Sequence, residues 1–177
     1  MGKVKSWLES TLRFEFQFTV YEHAQACSVT CLDNTVKRLD MVGKYVDKAV
    51  PVFVESKRYG SAGGQTNEFR KLQAIAYSAT AKALATHGND PKYRFLWVTT
   101  HPFALNKWSK LTSVKYLKES IELNKGLLDG AVVDDDLAAK VSKRVWVLVT
   151  GKRQMELRLS NEELHLAKGA LSQGKKG

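Results

Sequence analysis

Residues 50–60 read VPVFVESKRYG. Val50, Val52 and Val54 alternate with Pro51, Phe53 and Glu55, which is the two-residue period of a buried strand. The apolar run then ends in Ser56-Lys57-Arg58. Side chains alternate along a strand, so Phe53, Glu55 and Lys57 project from one face. An acid and a base at the end of a hydrophobic strand cost free energy unless something uses them.

The neighbouring sequence offers that use. VKRLDMVGKYV (36–46) reads as a second strand, joined to 49–59 by a tight connection around Asp47-Lys48, a hairpin by its length. Paired this way, Asp40 comes beside Glu55. Two carboxylates held close repel unless a cation sits between them, and hard oxygen ligands select Mg²⁺ or Mn²⁺. A lysine beside such a site supplies positive charge to an anionic transition state. Beyond the strand, GSAGGQT (60–66) is a glycine-rich loop, and the alanine-rich stretch 67–87 predicts a helix stopped by Gly88-Asn89-Asp90-Pro91. Gln73 and Tyr77, four apart, share a face of that helix and are placed to overhang the carboxylates. YRFLWVTTH (93–101) is a further buried strand.

The remaining pattern completes an α/β chain. A short amphipathic helix is predicted over 3–13, followed by the alternating strand FEFQFTVYEH (14–23). QACSVTCL (25–32) reads as another strand, with a turn at Asp33-Asn34. A helical stretch over 106–128 breaks near Thr112-Ser113, and DDDLAAKVSK (134–143) opens a helix with acids at its positive end. RVWVLVT (144–150) and MELRLS (155–160) read as late strands and NEELHLAKGALS (161–172) as a last helix. The order predicts a mixed sheet flanked by helices. Residues 1–170 are expected to form a single domain, with a flexible basic tail at 171–177.

Twenty-eight Lys and Arg against 18 Asp and Glu give a formal charge of +10. That balance favours a polyanionic partner, nucleic acid above all. Arg58, Arg70, Lys71, Lys82, Lys107 and Lys110 are candidates for a basic rim, and Trp108, flanked by lysines, for stacking on a base. No run approaches 18 apolar residues and no apolar leader opens the sequence, so a cytoplasmic protein without a membrane partner is expected. Cys27 and Cys31 are too few for a cysteine-held metal site and read as core residues.

Asp40, then Glu55-Ser56-Lys57, then Gln73-x-x-x-Tyr77 resembles the motif set of the PD-(D/E)xK nuclease superfamily. The glutamine–tyrosine helix is most similar to its RecB-like and lambda-exonuclease-like branches. The resemblance covers residues 36–100; Leu39 stands where the family name has proline. It implies a restriction-endonuclease-like fold with an α-β-β-β-α-β core, and Asp40 and Glu55 as ligands of Mg²⁺ or Mn²⁺, the Ser56 carbonyl completing the sphere. Lys57 would orient or activate the attacking water; Gln73 and Tyr77 would hold the lysine, metal waters or a phosphate. A glutamate from the first helix is implied as a further ligand: Glu9, or Glu15 if that helix runs on. The implied activity is phosphodiester hydrolysis of nucleic acid, DNA before RNA. An endonuclease in a defence, phage or mobile-element setting is the favoured form. A homodimer suits cutting of both strands, and any translocation along DNA would fall to a partner such as a helicase. The competing expectation is a non-catalytic nucleic-acid-binding or assembly protein that keeps the fold.

Overall fold

The computed structural model describes residues 2–46, 49–61 and 63–174, with the side chains of 172–174 excepted. The connection expected at Asp47-Lys48 lies outside the described residues. Helix α1 (Gly2–Ser10) leads into β1 (Phe14–Thr19), the short pair β2 (Ser28–Thr30) and β3 (Val36–Arg38), then β4 (Met41–Tyr45) and β5 (Val50–Lys57). The long α2 (Gln65–His87) precedes β6 (Arg94–Thr99). After them come α3 (Val114–Leu123), α4 (Asp135–Ser142), β7 (Val145–Val149), α5 (Lys152–Glu156) and α6 (Asn161–Gly174).

Five strands form one sheet in the order β1-β4-β5-β6-β7. The β1–β4 and β4–β5 pairs are antiparallel, and the β5–β6 and β6–β7 pairs are parallel. The chain is thus an α/β protein with a mixed sheet flanked by helices. Leaving aside the β2–β3 insertion, its first six elements run α-β-β-β-α-β. Central β5 can hold Pro51 because pairing with β6 begins only at Val52↔Arg94, so the proline lies beyond that strand's end.

Alternation along the strands feeds two cores. Val52, Val54, Leu96 and Val98 pack with Phe14, Phe16 and Met41 beneath Val4 and Leu8 of α1 and Met155 of α5. Phe53, Phe95 and Trp97 face the other way, into a larger core built on α2, α3 and α4. Gly43 sits where β4 crosses a bulge in β1; a Cβ there would fall on the Glu15 carbonyl, so only glycine fits. Gly88, at φ 71°, ends α2 by donating its N–H to Leu84 O, as the breaker cluster predicts.

Three expectations need correction. The strand expected over 36–46 is two: β3 pairs with β2 in a separate two-stranded sheet, and β4 joins the main one. Leu39 is buried in the α2-side core and Met41 in the opposite one. Residues two apart on a continuous strand would share a face, so the chain must bend at Asp40 between them. MELRLS is not a strand. Its Met155-x-Leu157-x-Leu159 alternation has the right period, but Leu157 is 81% exposed while Met155 closes the α1-side core from within the α5 turn. Finally, α2 begins at Gln65, two residues earlier than expected. Gln65 is fully buried, donating to the Ser61 and His101 carbonyls and accepting from Thr99 Oγ1, and so clamps the glycine loop to the end of β6. Helix α6 runs to Gly174, and residues 175–177 of the tail expected at 171–177 lie outside the described residues.

Candidate active site

The antiparallel register Met41↔Val54 sets Asp40 opposite Glu55, as the hairpin reading requires. A hydrogen bond fixes the approach: the Ser56 amide N–H donates to Asp40 Oδ2 at 2.7 Å. Next along the same strand face, Lys57 Nζ lies 2.7 Å from Glu55 Oε1. Asp40, Glu55 and Lys57 therefore converge at the end of β5 on the α2 side of the sheet. Ser56 contributes its N–H to this arrangement.

The electrostatics follow from this crowding. Burial pushes the Glu55 carboxyl above its ordinary value; the Lys57 ammonium opposes the shift and the Asp40 charge adds to it. Burial works against the charged Lys57, but its bond to Glu55 and the charges of Glu55, Asp40 and Glu68 outweigh it and hold the ammonium above its usual value. Glu68, in the first turn of α2, acts electrostatically on both Glu55 and Lys57 and was not singled out from sequence. The only sequence signal for it is an acid in the opening turn of a helix that follows the Glu55–Lys57 strand and its loop.

A cleft of about 380 Å³ opens over Glu55. Its walls are Leu39 and the β3 residues Val36, Lys37 and Arg38 on one side, and Glu68, Lys71, Leu72 and Ile75 of α2 on the other. Two carboxylates thus line a cleft whose rim carries three cations, Lys37, Arg38 and Lys71. Lys71 is one of the basic-rim candidates of the sequence, whereas Lys37 and Arg38 reach the cleft through β3. Trp97, in register with Glu55 on β6, also lines the cleft, and its buried indole N–H has no acceptor among the described residues.

The structure does not bring Gln73 and Tyr77 to this cleft. At 3.6 residues per turn they lie roughly 140–180° around α2 from Glu68. Gln73 is fully buried, donating to the Leu111 carbonyl at 2.8 Å and accepting from Ser120 Oγ. The Tyr77 hydroxyl accepts the Asp134 N–H at 2.7 Å, at the start of α4. Their shared face is real, but it fastens α2 to α3 and α4. Glu9 is likewise elsewhere: it stands on α1, which packs against the other face of the sheet, and its carboxylate accepts the Phe16 N–H. Glu15 pairs with Lys44 across the β1–β4 ladder.

The remaining basic candidates are scattered. Arg70 is held over the Tyr116 ring, bonded to its hydroxyl and paired with Glu119. Lys82 bonds Asn34. Lys107, Trp108 and Lys110 lie on a 3-10 segment, Leu105–Lys110, whose tryptophan packs edge-on to Phe103 and borders a concavity with β7 rather than the acidic cleft. Arg58 opens onto a different pocket. Both cysteines are buried free thiols, as the core reading requires.

Among the described residues no group of three or more His, Cys, Asp or Glu side chains is arranged to hold a metal ion. Two adjacent carboxylates nevertheless match a hard divalent ion that keeps several waters and is bound by one or two carboxylates plus substrate phosphate. The donor set fits Mg²⁺ or Mn²⁺, with Asp40 and Glu55 as the residues that would hold it.

No helix among the described residues is long and apolar enough to cross a membrane. No protein-family model matches the sequence, and no curated protein is significantly similar to it. Among solved structures, the chain is similar at a TM-score of 0.35 and 15% identity to a SAVED/CARF-domain containing receptor, Cap4 of Acinetobacter baumannii, determined with the cyclic trinucleotide 3′3′3′-cAAA. The match covers 95% of this chain and 40% of the receptor.

Proposed function

We propose that the protein is a metal-dependent nuclease, an endonuclease acting on DNA, with Asp40, Glu55 and Lys57 at its centre. The carrying observation is the Asp40–Ser56 bond, which draws the Asp40 carboxylate to the strand residue next to Glu55, itself a lining residue of the basic-rimmed cleft. Asp40 and Glu55 would hold Mg²⁺ or Mn²⁺, which when bound supplies Lewis-acid stabilisation of charge on the scissile phosphate. Lys57 places a fixed positive charge at the same strand end, where negative charge develops on phosphate attack. Lys37, Arg38 and Lys71 meet the sugar–phosphate backbone entering the cleft. Gln73 and Tyr77 take no part in the chemistry.

The test is incubation with supercoiled plasmid, single-stranded DNA and RNA in Mg²⁺, Mn²⁺ or EDTA. The expected result is metal-dependent conversion of the plasmid to nicked and linear forms, which an enzyme confined to strand ends cannot achieve. Asp40→Ala, Glu55→Ala and Lys57→Ala should each abolish it while remaining folded. Three variants that cut like the parent would overturn the site. Nucleic-acid binding with no cleavage in any metal would replace the enzyme with the non-catalytic reading.

A further inference from the structure

The three parallel strands of the sheet end side by side, and the residues that leave them build a second concavity. Arg58 and Tyr59 follow β5, Thr100 follows β6, and Thr150 follows β7. Together with α1 and α5 they enclose about 480 Å³, within the size range of small-molecule sites. Ligands of open α/β sheets gather at this carboxyl end of the strands.

The lining is chemically one-sided. Lys3, Arg58, Lys152 and Arg158 bring four cations against one carboxylate, Glu156. Lys3, Arg58 and Lys152 form no ion pair among the described residues, so Glu156 does not neutralise them. Two hydrogen bonds fasten the mouth: Thr100 Oγ1 donates to Tyr59 O and accepts from Tyr59 N, both at 3.2 Å, which ties the residue after Arg58 to the residue after β6. Buried Met155 supplies apolar surface beside the charges, while the Tyr59 side chain packs against the α2-side core. A convergence of unpaired cations beside an apolar wall suits a phosphate ester that carries an organic part, as a nucleotide unit does.

We propose that this pocket binds the phosphate group of a nucleotide unit, at a site separate from the Asp40–Glu55 cleft. Lys57 ends β5 on its α2 side, and Arg58, the next residue, lines the pocket with α1 and α5 on the opposite side of the sheet, so the two sites sit back to back across consecutive residues. The phosphate comes either from a free nucleotide or from a DNA strand passing over the sheet edge.

Binding of AMP, pyrophosphate, adenosine and a short DNA duplex is measured calorimetrically at low salt on the full chain. The comparison is with Arg58→Glu/Lys152→Glu and with a charge-matched control, Lys115→Glu/Lys168→Glu. All four positions are exposed, so folding should be retained, and circular dichroism checks it. AMP and pyrophosphate are expected to bind, adenosine is not, and the pocket variant should lose about tenfold or more where the control loses little. If only the duplex binds, and the pocket variant alone weakens it, the phosphate source is the DNA backbone. Equal losses in both double variants, or binding of adenosine as strong as AMP, would overturn the proposal. Asp40→Ala should leave AMP binding intact, so failure of the nuclease reading and failure of this one are separable.

Discussion

The Asp40 carboxylate accepts the Ser56 amide hydrogen at 2.7 Å, tying the bend before β4 to the strand that carries Glu55 and Lys57. One side chain is therefore both a fastener and a proposed metal ligand, and two substitutions separate those roles. Asp40→Ala leaves the Ser56 N–H without its acceptor and should cost about 1–3 kcal/mol in denaturant unfolding, with loss of cleavage. Asp40→Asn keeps a carbonyl acceptor at the same place. It should hold most of the stability and still fail to cut, since it removes the charge that would bind a divalent ion.

The raised Glu55 carboxyl gives a pH signature. A group whose folded value lies above its unfolded one contributes stability that is fully present below the unfolded value and is lost as pH rises through the folded one. Relative to Glu55→Gln, the parent should therefore lose stability across the interval just above the ordinary carboxylate range. Divalent-ion affinity should move oppositely, rising over that interval as the proton leaves. Thermal melts with and without Mg²⁺ at a series of pH values check both slopes; a flat metal response would remove Glu55 from the ligand set.

Gln73 and Tyr77 are expected to matter for stability alone. Tyr77→Phe strips the Asp134 N–H of its acceptor, and Gln73→Ala unpairs the Leu111 carbonyl and the Ser120 hydroxyl. Each should lower unfolding free energy by about 1–3 kcal/mol. The cleavage rate per folded molecule should stay near that of the parent, measured well below the melting transition. A selective loss of rate would show that this face of α2 reaches the substrate after all.

Cys27 and Cys31 are fully buried, and burial pushes both thiols above their ordinary value. Native protein at neutral pH should react slowly with a thiol-specific disulfide reagent, and denaturant should release two equivalents. Fast labelling of the folded chain would mean that the Phe18-to-Leu39 region opens on its own.

How legible all this was depended on whether a residue's neighbours were local. The glycine stop of α2 and the helix starts at Ser113 and Asp134 are set within a few residues, and they stand where the sequence puts them. The approach of Asp40 to Glu55 followed from hairpin register. What escaped was rotational phase. A pair four apart on a helix shares a face, but nothing in Gln73-x-x-x-Tyr77 says which layer that face meets; α3 and α4, forty and more residues later, decide it. Lys37 and Arg38 were hidden for a related reason, because the bend at Asp40 hands them to a separate small sheet that walls the cleft. MELRLS had the right period and no vacancy: Met155 was needed to close a core, and its neighbours stayed in solvent.

The bend itself leaves the polypeptide no slack. Leu39 and Met41 are anchored in opposite cores with a single residue between them, and that residue is the acid. Adding or removing one amino acid there would force either anchor out of its socket and swing the carboxylate away from its partner strand. Length variation in this chain is therefore barred at position 40, whereas the β2–β3 turn at Asp33-Asn34 could lengthen without disturbing the acid.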